Sequence, residues 1–345
     1  MEKIHIPIDS VLVDKISAML LLSFMAFLLA TLLTPVYTHY AFKYKLWKRH
    51  RASSTTGEAL KVIAKLRIKR TLPLMAGLVI IASVVIITVL FNLDRNQTWL
   101  PLAALLGGGL VGLIDDIINI RGKGGAVAGL RPKLKFAMIT VVAAAAAWFF
   151  YYKLGYNAVH IPFAGDAVIG LWLIPLFILV VVSAGNAVNI SDGMDGLSGG
   201  LLTSAYSAFA VIAVFQGNIG IAAFCVTVVG ALLSYLWFNI PPARFLMGDV
   251  GSFSLGTALG VVAMLTNTLF LLPIIGIVFV AEAGSSLIQI FSKKVFHRRV
   301  FIAAPVHHHI EALGWPKTKV TMRFWVIGQM FAVIGVFLAL AGGFI

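Results

Sequence analysis

Cysteine is nearly absent: one residue, Cys225, in a chain of 345. A single thiol makes no intramolecular disulfide and no thiolate metal site, and its place in an apolar run marks it as a small packed side chain. Charge is scarce as well. Only 12% of residues are Asp, Glu, Lys or Arg, against 60% hydrophobic. A soluble protein carries about a quarter charged residues, so this chain could not cover a water-facing surface, and a large soluble core is excluded. Acidic residues are the scarcest, 13 against 27 basic ones, for a formal net charge of +14. No cleavable secretory leader is expected either. Met1–Lys15 is mixed polar, without a basic region followed by a small-residue cleavage site, so the first apolar run is expected to stay as a helix.

What is there instead is a series of apolar runs near the roughly 20 residues that cross a bilayer. They cover about 17–38, 72–91, 99–114, 136–152, 168–185, 197–216, 219–238, 252–269, 271–291 and 323–343. The pattern predicts an all-α integral membrane protein, one polytopic domain over 1–345 with about ten transmembrane helices. Short gaps near Gly217 and Leu271 require antiparallel hairpins. Gly107, Gly108, Gly109 and Gly112 in the third run suit close helix packing in lipid. Gly155–Asp166 reads as a small outer-side hairpin, and 39–71 as a loop with an amphipathic interfacial helix.

Alternate gaps, 39–71, 115–135, 186–196, 239–251 and 292–323, hold 23 of the 27 Lys and Arg residues. Positive residues mark the cytoplasmic face, so both termini are expected outside, in agreement with an even number of spans. The basic excess is therefore topological first. Its second use is to attract anionic lipid or a phosphorylated substrate. Nucleic acid is a poor reading, because no folded basic domain stands outside the membrane.

Four polar groups fall on that same basic side. Asp115 and Asp116 are adjacent carboxylates at a helix end, which suits a divalent metal or a raised pKa on one of them, or else a solvated helix end. The run Asn186–Gly196 (NAVNISDGMDG) packs oxygen ligands and amide donors, including Asn189, Asp192 and Asp195, into more than a plain turn needs. Leu246–Ser252 (LMGDVGS) opens a new span, where Asp249 either holds Mg²⁺ beside a phosphate or caps the helix. His307, His308 and His309 cannot share one helical face. Hydrogen bonding to phosphate suits them better than a zinc site. Hard oxygen ligands with abundant cations point to Mg²⁺ and phosphoryl transfer at the membrane surface.

Asp115-Asp116, Asn186–Gly196, Met247–Ser252 and above all Pro305–Trp315 (PVHHHIEALGW) resemble the motifs of the bacterial phospho-N-acetylmuramoyl-pentapeptide transferases, a family of polyprenyl-phosphate N-acetylhexosamine-1-phosphate transferases. The resemblance runs through nearly the whole chain. It implies a multi-pass protein of the bacterial inner membrane with the function of its relatives: transfer from UDP-N-acetylmuramoyl-pentapeptide to undecaprenyl phosphate, giving lipid I and UMP in peptidoglycan synthesis, with Mg²⁺ and as a homodimer. Residue by residue, it implies Asp249 as metal ligand, Asp115 and Asp116 near the phosphates, and His308 among the catalytic groups. Lys69, Lys133, Asn189, Asp192, Asp195, Ser252, Gln289, His307 and His309 are then substrate-binding candidates.

The chain also departs from the family pattern. Leu72 and Leu74 replace threonines, Leu246 stands where Phe is common, and Asn119 replaces a lysine, leaving Lys133 or Lys135 to supply that cation. Two other readings compete: a relative using another UDP-sugar such as UDP-N-acetylglucosamine, and a transporter or channel. A transporter keeps coupling carboxylates near the bilayer midplane, where only Glu282 lies. That residue either lines the cleft or supports a helix break near Gly284.

Overall fold

A computed structural model describes residues 10–47, 72–121 and 129–344. Lys69 and most of the 39–71 loop, with its expected interfacial helix, lie outside the described residues. The chain is mostly helical. Its elements are α1 (Ser10–Lys43), α2 (Gly77–Phe91), α3 (Trp99–Arg121), α4 (Pro132–Tyr152), β1 (Ala158–Ile161), β2 (Gly165–Val168), α5 (Leu173–Ser191), α6 (Leu197–Phe215), α7 (Ile219–Asn239), α8 (Gly248–Leu265), α9 (Leu272–Ile275), α10 (Ile277–Val295), α11 (Val306–Ala312) and α12 (Lys317–Ala341). Among the described residues, eight helices are long and apolar enough to cross a membrane: α1, α3, α4, α5 with the turn before it, α6, α7, α8 and α12. The protein is thus a multi-pass membrane protein.

Two of the ten expected spans take another form. In the second, 72–76 is not helical, and the helix begins at Gly77. Its backbone pairs instead with the chain before α8, through Leu246 N–H to Pro73 O at 2.8 Å and Gly77 N–H to Met247 O at 2.9 Å. The ninth is broken into α9 and α10 at Gly276, and the helix runs unbroken through Gly284. The expected break at Gly284 is therefore misplaced. Gly284 has only open space where a side chain would sit, so no neighbour forces a kink there.

α8 forms the buried axis, packing on α3, α5 and α2. Between helices already surrounded by lipid, association depends on close van der Waals fit and hydrogen bonds. Small residues supply the fit. A Cβ at Gly77 would fall on Gly251, one at Gly108 on Thr257, and one at Gly112 on the Asp249 carbonyl. Hydroxyls supply the bonds: Ser254 Oγ donates to Leu105 O at 2.6 Å and Thr257 Oγ1 to Ala104 O at 2.9 Å. Large apolar side chains such as Leu32, Val141 and Trp237 lie on the outside, where lipid replaces water as solvent.

The expected small hairpin forms, with His160 opposite Asp166. It joins the ends of α8 and α12, since His160 N–H donates to Asn267 Oδ1 and its Nε2 meets Gly342 O. α8 starts, and α5 ends, at the opposite end of the bundle, where the chemistry-bearing residues gather.

Candidate active site

α3 runs to Arg121, further than the apolar pattern indicated, so Asp115 and Asp116 sit inside a helix and not at its end. Both are buried, and their side chains have different partners. Asp115 Oδ2 accepts from Lys135 Nζ at 2.8 Å, and its other oxygen accepts from the Leu130 backbone N–H. Asp116 Oδ2 accepts from the Val250 N–H at 3.0 Å. It therefore satisfies one of the free donors at the N-terminus of α8, where the helix dipole favours a negative charge.

Asp249 stands in the first turn of α8. The chain enters that turn through Gly248 at φ +80, a conformation suited to glycine, and a side chain there would strike Asp116. Asp249 Oδ2 accepts from the same Lys135 Nζ at 2.6 Å. One ammonium thus bridges Asp115 and Asp249, with the Phe253 ring 5.2 Å from it. Lys135 is the cation at these carboxylates, whereas Lys133 is exposed. Sequence reasoning left both open, because the residues between Arg121 and Pro132 separate α3 from α4 and hide the register.

Ser252, one turn on from Asp249, accepts from Asn189 Nδ2 at 2.9 Å. Asn189 lies on α5, which extends to Ser191 and so takes half of the polar run into helix. In the following turn, Asp192 Oδ1 accepts from Ser198 Oγ at 2.6 Å and Asp195 Oδ2 from the Ala243 N–H at 3.3 Å. Buried Asn239 ties this turn to the α8 approach. It accepts from Gly196 N–H at 2.8 Å and donates to Phe245 O at 2.7 Å. It was missed in the sequence because it reads as the last residue of an apolar span.

The three histidines diverge on the short helix α11, as their spacing required. His307 Nδ1 meets Glu282 Oε2 at 2.7 Å, His308 Nδ1 meets Glu311 Oε2 at 3.0 Å, and His309 Nδ1 accepts from Ile302 N–H at 3.3 Å. The Glu311 carboxyl is held below its ordinary value, first by the His308 hydrogen bond, against its burial and with help from Lys317. Gln289 is engaged by the loop before α11: its Oε1 accepts from Val300 and Phe301 N–H, and its Nε2 donates to Phe301 O. Glu282 pairs internally, as one of the two readings of it held, but with His307 and not to support a break.

Among the described residues no group of three or more His, Cys, Asp or Glu side chains is arranged to hold a metal ion. Mg²⁺ does not require one, since it is commonly held by one or two carboxylates and completed by water and substrate phosphates. The donors fit it: Asp115 and Asp249 present hard oxygens to one cation.

Residues 98–267, from α3 to just past α8, match the model of glycosyl transferase family 4. With the apolar helices and the acidic end of α8, this defines the class as a multi-pass membrane transferase. A phospho-N-acetylmuramoyl-pentapeptide-transferase of Chloroflexus aggregans is 41% identical over 97% of this chain and 93% of its own. One of Chloroflexus aurantiacus is 39% identical over the same shares, and one of a Geobacillus species 37% identical over 93% and 97%. The chain belongs to the phospho-N-acetylmuramoyl-pentapeptide-transferase family.

Proposed function

We propose that the protein moves phospho-N-acetylmuramoyl-pentapeptide from its UDP carrier to undecaprenyl phosphate, forming lipid I and releasing UMP in peptidoglycan synthesis. The observation that carries the reading is the pair Asp115 and Asp249 sharing one cation at the start of α8, beside the α5–α6 turn and the histidine helix. An oxygen of the lipid phosphate attacks the sugar-linked phosphorus in line. The new P–O bond forms as the bond to UMP breaks, without a covalent enzyme intermediate. Asp249, with Asp115, would hold Mg²⁺, which when bound neutralises charge on the phosphate oxygens.

Lys135, beside the two carboxylates that would hold the metal, is placed to bind the diphosphate. Asn189, Asp192, Asp195 and Ser252 orient the nucleotide sugar, and His307, His308 and His309 its phosphate or sugar side. Gln289 shapes the adjoining loop. An apolar groove of about 650 Å³ between α5, α8 and α9–α10, lined by Leu179, Val180, Leu259, Leu272 and Phe279, suits the lipid chain. In this reading α2 and α9–α10 complete ten crossings of the bacterial inner membrane. Both termini are outside, the site is cytoplasmic, and the working unit is a homodimer.

The test is UMP release by the purified protein given undecaprenyl phosphate and either UDP-N-acetylmuramoyl-pentapeptide or UDP-N-acetylglucosamine, with Mg²⁺ or EDTA. Turnover of the muramoyl substrate alone, lost in EDTA and restored by Mg²⁺, is expected. Product from UDP-N-acetylglucosamine but not from the muramoyl substrate overturns the assignment.

A further inference from the structure

Glu282 is fully buried, and the transfer scheme leaves it without a task. It projects from the second turn of α10, and its partner His307 from α11; both side chains are fully buried. An ionised carboxylate only accepts hydrogen bonds, so at 2.7 Å from Glu282 Oε2 the His307 Nδ1 carries the proton. The two remaining polar atoms of the pair, Glu282 Oε1 and His307 Nε2, are buried as well, and neither has a hydrogen-bond partner. Buried polar atoms are satisfied in nearly all proteins, and those left open call for a water, an ion or a functional partner.

The position of Nε2 indicates which. A Cβ at Gly193 would collide with it, so the ring edge is seated against the Gly193 backbone. Gly193 is itself exposed and lies in the turn between Asp192 and Asp195. Nε2 therefore lies directly beneath this exposed glycine. His308 is built alike, with Nδ1 toward Glu311 and its ring 4.1 Å from that of His307.

We propose that Glu282 is a positioning residue for the transfer reaction: it holds His307 with its proton on Nδ1 and aims Nε2 past Gly193 at the diphosphate of the donor substrate. The inference rests on the transfer reading above. When both ring nitrogens of His307 carry a proton, Nε2–H donates to a phosphate oxygen while Nδ1–H stays on Glu282. The ionisable groups around His307 are Glu282 from α10, His308 and Glu311 from α11, and Asp192 and Asp195 on either side of Gly193. Of these, Glu282 alone is hydrogen-bonded to the ring.

The experiment follows UMP release by the full chain in detergent, with UDP-N-acetylmuramoyl-pentapeptide and undecaprenyl phosphate, as a function of pH. It compares the unmodified protein with Glu282→Gln, His307→Gln and the double variant. Glu282→Gln keeps an acceptor for Nδ1–H but removes the charge. It is expected to lower kcat/KM by about tenfold or more and to move the alkaline limb of the profile to lower pH. His307→Gln is expected to abolish that limb, and adding Glu282→Gln to it to cost little further. A Glu282→Gln profile that superimposes on the original after scaling, or additive losses in the double variant, overturns the proposal. If Glu282→Gln does not fold, Gly193→Ala tests the same geometry by crowding Nε2 from the other side. A loss of turnover at unchanged melting temperature supports the proposal, and undiminished turnover overturns it. Absence of UMP release from the unmodified protein would instead refute the transfer reading itself.

Discussion

Asp115 and Asp116 are chemically identical neighbours that the fold gives different work. On a helix adjacent residues point about 100° apart, so Asp115 turns to Lys135 and Asp116 to the N-terminus of α8. Asp249→Ala removes a charge from the shared cation site while Asp116 still caps α8. It is expected to cut turnover by about 10²–10³-fold with the protein still eluting as a folded species from a sizing column. Lys135→Met does the converse, leaving Asp115 and Asp249 to face each other without a cation. Its melting temperature in EDTA is expected to fall by the equivalent of about 1–3 kcal/mol, and Mg²⁺ to recover more of it than in the unmodified protein. Equal responses to Mg²⁺ in the two proteins would refute a metal site at this pair. The acidic residues were legible as candidates because charge is so rare in this chain. Their division of labour was not, because it depends on which side chain meets which distant helix.

At the scale of elements, the site depends on how closely α3 approaches α8. Gly112 lies one turn before Asp116, and its Cα faces the Asp249 carbonyl with no room for a methyl group. Gly112→Ala should push the two helices apart at the point where their carboxylates meet. The expected cost is about 1–3 kcal/mol, with a loss of UMP release, both measured on purified protein in detergent. Gly284→Ala is the contrast. Nothing stands near that position in α10, so the substitution should be neutral or stabilise the helix by about 0.5–1 kcal/mol. Helix existence was legible from long apolar runs, but helix ends were not. α3 and α5 outrun their apolar stretches, and Asp115, Asp116, Asn186 and Asn189 find hydrogen-bond partners there. α2 starts late because 72–76 pairs with 246–247.

Over the whole molecule, the helix ends sort into two sets. One carries the hairpin with the ends of α8 and α12, and the other the carboxylates and histidines. The proposed orientation places the second set in the cytoplasm. The only native cysteine, Cys225, is buried, so single cysteines introduced at exposed positions can report the side. In intact cells, a membrane-impermeant thiol reagent is expected to label a cysteine at Phe163 in the hairpin. One at Lys133 should be labelled only after the membrane is opened, and the reverse pattern would refute the orientation.

Taken by itself, the sequence determined that this is a membrane protein, the number and approximate placement of its apolar runs, and which polar residues are candidates for the chemistry. Hydropathy, basic-residue asymmetry and short motifs are local properties, readable without knowing what touches what. Only the tertiary structure decided that Lys135 is the shared cation, that Asp116 caps α8, that Asn239 joins two loops, and that Glu282 belongs to His307. Each of these pairs residues far apart in the chain. Their meeting depends on helix register and on glycines small enough to let backbones touch, neither of which a linear pattern encodes.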